Sequence, residues 1–446
     1  MTFPLGLHAA PRFGARPPAA ADVVIIGGGI AGVMTAWFLA ARGCRVVLCE
    51  KGRIAAEQSS RNWGWVRKQG RDPAELPIMI EAEAIWRRLA EETGADLGLR
   101  RTGVLYAADG PGDMADYEAW MVHARAHGLD TRLLGAREIA DLLPAQTGWV
   151  GGLWTASDHR AEPWVAVPRI AEELAARGAT LVEQCAVRAL DIAGGRVAGV
   201  VTEAGRIAAD RVVLAGGAWS ALFARAHGVA LPQLSVRATV AATAPLPEVF
   251  AGAAADGTLA FRRRADGGYT LAPGNFHEFF IGRDAFRNLR AFLPQIRKDI
   301  SGTRFLPAAP RGYPDAWTTP RRWSAEAESP FERMRVLNPR PNAAEVERLR
   351  QRFARAFPGI GLPPVALAWA GMIDTMPDVV PVLDHAAALP GLWIATGFSG
   401  HGFGIGPGAG RVMADLVEGR APGHDLARFR LGRFSDGSVI APGPAL

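Results

Sequence analysis

Three glycines carry the first chemical signal in this chain. Gly27, Gly29 and Gly32 follow the apolar run Val23-Val24-Ile25-Ile26 with G-x-G-x-x-G spacing, and a helical stretch runs on from Ile30 and Ala31 to about Ala41. The first glycine permits a tight turn, the second lets the backbone approach a pyrophosphate, and the third allows a helix to pack closely on the strand. The anion then sits on the helix N-terminus, where unpaired N–H groups and the dipole favour negative charge. Glu50 ends the next strand-like run, where a carboxylate can accept both hydroxyls of a ribose. A lone glycine triplet would also suit simple packing. Here strand, turn, helix and carboxylate agree, and they point to a dinucleotide site that fits FAD or NAD.

Three further segments cluster reactive or flexible residue types. Lys51-Gly52-Arg53 leads into Ser59-Ser60-Arg61-Asn62-Trp63-Gly64-Trp65-Val66-Arg67-Lys68-Gln69. Residues 212–220 read as a strand ending in small residues, Gly216 among them, with Trp219 just beyond. Residues 397–410 hold Gly397, Gly400, Gly402 and Gly404 around Phe403 and Ile405, with His401 as their one titratable side chain.

The elements that would position these residues alternate along the chain. The βαβ unit at the start must be right-handed and parallel, so it seeds a doubly wound sheet. A helix over 164–178, strands at 180–182, 197–201, 211–215 and 392–396, and a helix from about 408 to 417 would complete it. Between them lie segments richer in aromatics, prolines and polar turns. The expected organisation is a flexible leader over 1–20, a discontinuous cofactor domain from 21–100, 151–235 and 366–446, and an inserted substrate domain from 101–150 and 236–365. The fold class is α/β and α+β.

Composition narrows the function. The chain has 446 residues, 49% of them hydrophobic and 21% charged, as in an ordinary globular protein, with a formal net charge of +6. Lysine occurs only at Lys51, Lys68 and Lys298, so arginine supplies nearly all of the 50 basic side chains. No Lys/Arg run of the kind that binds nucleic acid is present, which disfavours a basic nucleic-acid-binding module. Cys44, Cys49 and Cys185 lack metal-ligand spacing and cannot build a disulfide framework, so a reducing, cytoplasmic location is expected. No stretch is long and apolar enough to span a bilayer, while peripheral membrane contact stays open.

With these motifs together, the chain resembles the FAD-dependent amine oxidoreductases of the D-amino-acid oxidase superfamily, which include glycine oxidase, monomeric sarcosine oxidase and D-amino-acid dehydrogenases. The resemblance runs from about residue 21 to about 430. Its most specific parts are the N-terminal fingerprint and Gly397-Phe398-Ser399-Gly400-His401-Gly402-Phe403, with Trp369-Ala370-Gly371-Met372 matching the strand before that loop. It implies a Rossmann-like FAD-binding domain with an inserted antiparallel-sheet substrate domain. Hydride transfer from an amino acid or secondary amine to flavin would give an imine that hydrolyses. An NAD-linked dehydrogenase is the alternative.

The resemblance also implies roles for individual residues. Glu50 would bind the adenosine ribose with Lys51 beside it, Ser59, Ser60, Arg61 and Asn62 would line the pyrophosphate–flavin segment, and Val187 would meet the adenine through its backbone. Gly216 and Trp219 would flank the pyrophosphate, and residues 400–405 would lie against the pyrimidine end of the isoalloxazine, with His401 holding the loop or cofactor. At Gly371 the sarcosine oxidase pattern has the cysteine that tethers flavin, so FAD is expected to be non-covalent. The arginine that grips a substrate carboxylate in glycine oxidase aligns with Ile373, next to Asp374, and the sarcosine oxidase lysine after the loop aligns with Gly404. Arg67 is the replacement clamp, weighed evenly against a surface ion pair, and Asp374 could instead meet an amine. Trp63, Trp65, Tyr269, Phe276 and His277 are candidates to wall the substrate cavity, weighed against core packing. The oxygen-activating lysine of sarcosine oxidase aligns with Thr270, so the electron acceptor is oxygen or a membrane quinone, with dehydrogenase or slow oxidase activity expected.

Overall fold

A computed structural model describes residues 3–8, 11–298 and 300–443. The strand Val23–Ile26 pairs in parallel with Val46–Cys49 on one side and Val212–Leu214 on the other. Thr180–Val182 and Leu392–Thr396 extend the sheet in parallel, and Val382–His385 closes one edge antiparallel. Its strands are short and apolar because both faces are covered. The helices Ile30–Ala41, Leu76–Glu92, Pro163–Ala176 and Gly402–Val417 pack on one face, around Ile25, Met34, Trp86 and Met413. A three-stranded antiparallel sheet, residues 187–208, joins the core on the other face.

The second body is a ten-stranded sheet, mainly antiparallel, in which Leu234–Thr243 pairs along its length with Val365–Thr375. This two-part architecture is the expected mixed fold. Some segments fall on the other side of the expected boundaries. Gly151–Thr155 pairs with Val104–Ala108 and Thr131–Gly135, and Val365–Thr375 pairs with Leu234–Thr243, so both lie in the large sheet. The expected leader is pinned where it is described. Gly14 bridges to Val182, Ala20 bridges to Ala208, the Arg12 amide donates to the Glu183 carboxylate at 2.8 Å, and the Phe3 ring lies against Trp164 and Trp369.

The last long helix begins at Gly402, about two turns before the expected residue 408. Its glycines are spaced to let other elements in. A Cβ on Gly406 would press into Ile30, one on Gly408 into the Ile78 carbonyl, and one on Gly410 into Met34. Most of the glycine run therefore serves close packing against Ile30–Ala41 and Leu76–Glu92, and only Gly397 and Gly400 take the left-handed turn, at φ +78° and +87°.

Candidate active site

The glycine turn and its carboxylate meet as expected. Glu50 lies half-buried beneath residues 27–29 and accepts hydrogen bonds from the amides of Gly28 and Gly52, each at 2.7 Å. Burial pushes its carboxyl up to about 7, against the pull of Lys51 and these amides. Gly27 has φ +110°, and a Cβ there would strike the Ala215 carbonyl, so only glycine allows the turn to nest on the neighbouring strand. A Cβ on Gly32 would run into the Gly27 carbonyl, which is the close helix–strand approach expected of the third glycine. The Ile30 amide is taken by Ser59 Oγ at 2.8 Å, which joins the helix start to the 58–61 turn.

A cavity opens over this turn. Its wall includes Cys49, Glu50 and Val187, the turn residues Gly27, Gly29, Ile30 and Ala31, Gly216 and Trp219, and also Asp374, Thr396, Phe398, Gly400, Gly402 and Phe403. Ser59 and Asn62 contribute to the wall, and so does Gln58, whose buried Oε1 has no hydrogen-bond partner among the described residues. A buried acceptor left open in the wall and a glycine cradle under the cavity fit a long, phosphorylated, hydrogen-bonding ligand, as FAD is.

Lys51 is held on the rim, its Nζ 2.6 Å from Glu57 and 4.4 Å from the centre of the Trp219 ring. Glu57 also accepts from Trp219 Nε1 at 3.2 Å and from the Leu337 amide at 3.0 Å. Glu57 and Gln58 were missed from sequence, because Trp219, Leu337 and Gly371, which they meet, lie far away in the chain and no local pattern marks them.

Other expected residues stand behind the wall. Ser60 is fully buried, and Arg61 braces the interior through Ala56 O, Asn338 Oδ1 and Ala370 O. Gly404 and Ile405 lie within the packed helix, and Gly397 tucks against Met376. The Gly371 Cβ position is filled by the Gln58 side chain, so this strand position leaves no room for a tethering group without moving Gln58. Asp374 reaches the cavity but spends its carboxylate on the Gly397 amide at 2.7 Å, with burial raising its pKa. It is a loop anchor rather than a ready partner for an amine. His401 turns its Nδ1 toward Glu75 at 3.7 Å, and Arg71 Nη2 holds its carbonyl at 3.2 Å.

Of the substrate candidates, Tyr269 belongs to the core. Its hydroxyl binds the backbone of Val249 and Phe250, and its ring packs on Phe261 and Phe353 because the alternation of its strand turns it away from the cofactor side. His277 bonds Thr303 at the far edge of the large sheet, and Phe276 stands beside it in sequence. Trp65 packs edge-on to Trp63, and Arg67 lies with its guanidinium 5.3 Å from the Tyr106 ring and donates to Gln69 O. Arg71 sits four residues further on, past the turn at 69–70. Burial and the Arg67 charge lower its pKa to about 10, and its Nη1 has no hydrogen-bond partner among the described residues. Glu75 is held below its usual range by His401, Arg71 and Arg67 against the push of burial.

Comparison with known proteins agrees with this geometry. The family description "FAD dependent oxidoreductase" matches residues 22–416. The glycine oxidase of Pseudomonas aeruginosa is 28% identical over 91% of this chain and 97% of its own. The structure of an L-amino acid deaminase from Proteus myxofaciens in complex with anthranilate is 30% identical, covers 97% of this chain and 98% of that one, and superposes with a TM-score of 0.91. Glycine oxidase from Geobacillus kaustophilus, at 23% identity and a TM-score of 0.73, shares the fold. The NAD-linked and nucleic-acid readings give way to these findings. The chain belongs to the FAD-dependent oxidoreductases, and it is an enzyme that uses FAD to oxidise the C–N bond of amino acids or amines.

Proposed function

We propose that this enzyme oxidatively deaminates an L-amino acid with an apolar side chain and passes the electrons to a quinone rather than to oxygen. The observation that carries the substrate reading is Ile373. By the resemblance to glycine oxidase it stands where a carboxylate would be gripped, and its side chain lies 3.8 Å from the Cβ position of Gly400 in the cofactor loop. An aliphatic group there offers a substrate side chain apolar surface and leaves carboxylate binding to another residue. The near-full-length likeness to an L-amino acid deaminase supports the same reading.

Bound FAD supplies the two-electron acceptor. The chain's residues supply the rest. Glu50, Ser59 and the amides of the glycine turn hold the cofactor, Asp374 fixes the loop at Gly397, and the Arg67–Arg71 pair offers positive charge to the substrate carboxylate. Loss of two electrons and two hydrogens converts the C–N bond of the amino acid to an imine, which water hydrolyses to a 2-oxo acid and ammonia. Little side-chain acid–base chemistry is required of the protein, which orients and tunes.

The acceptor reading rests on the lysines. Lys51 is bound to Glu57, Lys68 Nζ to Glu83 and Asp158 at 2.5 and 3.2 Å, and Lys298 to the Gly443 carbonyl. Each ammonium is committed to a partner, and Thr270 occupies the aligned position for oxygen activation. A quinone acceptor implies contact with a membrane surface. No helix among the described residues is long and apolar enough to cross one. Three free thiols favour its cytoplasmic side.

Anaerobic bleaching of the flavin by L-leucine or L-phenylalanine, with formation of the 2-oxo acid, is expected. Bleaching by glycine, sarcosine or D-amino acids in preference would overturn the substrate reading. Reoxidation of the reduced enzyme by air as fast as turnover would overturn the acceptor reading.

A further inference from the structure

The helix Arg283–Lys298 carries three faces, where a surface helix of a globular protein usually has two. Asp284, Asn288 and Phe292 recur every fourth residue and are buried against the body. At 100° per residue, Phe286, Leu289 and Leu293 fall within an arc of about 60° beside that buried face. They are 64%, 48% and 37% exposed. Arg283, Arg287, Arg290, Arg297 and Lys298 fill the next arc, of about 100°, and all are exposed. The only acidic residue in the helix, Asp284, is turned inward and ion-paired to Arg225, Arg287 and Arg321. Apart from this Arg287–Asp284 pair, no acidic residue in the helix offsets the outward positive charge. Trp317 extends the apolar strip. Its ring centre lies 6.2 Å from that of Phe286, it is 40% exposed, and its Nε1 donates to Ile281 O.

Such a helix has its inner face already satisfied. It still presents a row of large apolar side chains bordered by arginines, the pattern of helices that lie in the plane of a bilayer interface. Uncompensated positive charge beside an apolar strip is complementary to anionic headgroups over acyl chains. A protein partner would have to match both features across a single helix.

From this juxtaposition we infer that the helix Arg283–Lys298, with Trp317, is a docking face for an anionic lipid surface. The inference deepens the quinone reading by naming the face through which the enzyme reaches the membrane. The ion pair from Asp284 to Arg225 ties this face to the helix Ser220–Ala226, which follows the cavity residues Gly216 and Trp219.

The FAD-loaded protein is to be sedimented with vesicles of phosphatidylcholine alone and of phosphatidylcholine mixed with phosphatidylglycerol. Partition onto the mixed vesicles, lost at high salt, is expected. Removing one charge at a time by Arg283→Gln, Arg290→Gln and Arg297→Gln weakens it about fivefold per charge. The triple change Phe286→Ser, Leu289→Ser, Leu293→Ser weakens it more than about tenfold. The visible spectrum and the turnover with a soluble dye acceptor stay as in the parent and show that the variants are folded. Parent protein that ignores anionic vesicles, or an apolar-face variant that binds them as the parent does, overturns the inference. So does a parent dimer that the apolar-face variant converts to monomer, which would make the strip a contact between two copies. Vesicle binding without reduction of a quinone carried in the bilayer would instead sink the acceptor reading and leave the docking face standing.

Discussion

Single residues set the terms of binding here. Glu50 is a half-buried carboxylate whose desolvation pushes its pKa up to about 7 in the cofactor-free protein. A ribose that donates to it favours the charged form, so FAD binding should release a proton and weaken as pH falls below 7, toward tenfold per unit. Calorimetric titration of the cofactor-free enzyme in buffers of different ionisation enthalpy checks this, and Glu50→Gln should abolish the pH dependence and lower affinity. The sign for stability is the opposite. The raised pKa means the folded cofactor-free chain binds the extra proton between pH 4.5 and 7, so this group's contribution to stability falls as pH rises through that window. Arg67→Ala should raise KM for carboxylate substrates by about 10–100-fold, the worth of ~1.5–3 kcal/mol for hydrogen bonds to a charged group. An equal loss with amines that lack a carboxylate would remove Arg67 from the substrate site.

At the scale of elements, the helix Gly402–Val417 depends on being bare. Gly410→Leu would drive a side chain into Met34 and the backbone at Thr35, and a cost of about 1–3 kcal/mol is expected as a lowered Tm with the flavin spectrum retained. The same change at Gly432, where nothing but the far ends of Arg430 and Asp436 lies near, should be close to neutral. This helix also shows where sequence stopped being readable. The first strand, turn, helix and second strand could be placed because their signals are local, a run of apolar residues and glycines at fixed offsets. The glycines at 404–410 look like loop by the same logic, since what they make room for, Ile30, Ile78 and Met34, is more than 300 residues away in the chain. Tyr269 was misplaced for a similar reason. A tyrosine beside a turn is equally at home in a cavity wall or a core, and only the pairing of its strand with residues 260–263 and 241–242 decides which face it takes.

In the whole molecule, the cofactor cavity draws its wall from the six-stranded sheet, the 58–61 turn and the end of a strand of the large sheet. Occupancy should therefore stabilise the entire chain cooperatively. At a hundredfold excess over Kd, added FAD should raise stability by about 2.7 kcal/mol, visible as a single transition at higher Tm. Two separated transitions, with only one responding to FAD, would show that the two bodies melt independently. The strand Val365–Thr375 makes the connection. Along one side, Trp369 bonds the Arg61 carbonyl, Gly371 leaves its space to Gln58, and Ile373 lies against Gly400. The resemblance to sarcosine oxidase and glycine oxidase implies a flavin-tethering cysteine at the second of these positions in the first enzyme and a carboxylate-gripping arginine at the third in the second. Covalent anchoring and substrate grip thus occupy alternate seats on one strand face, whose backbone pairing is indifferent to the side chains seated there. A lineage can exchange the grip by one substitution at 373, and the tether by a substitution at 371 that also moves Gln58, while every strand stays in register, which makes this row a place where descendants of a common fold can diverge in chemistry.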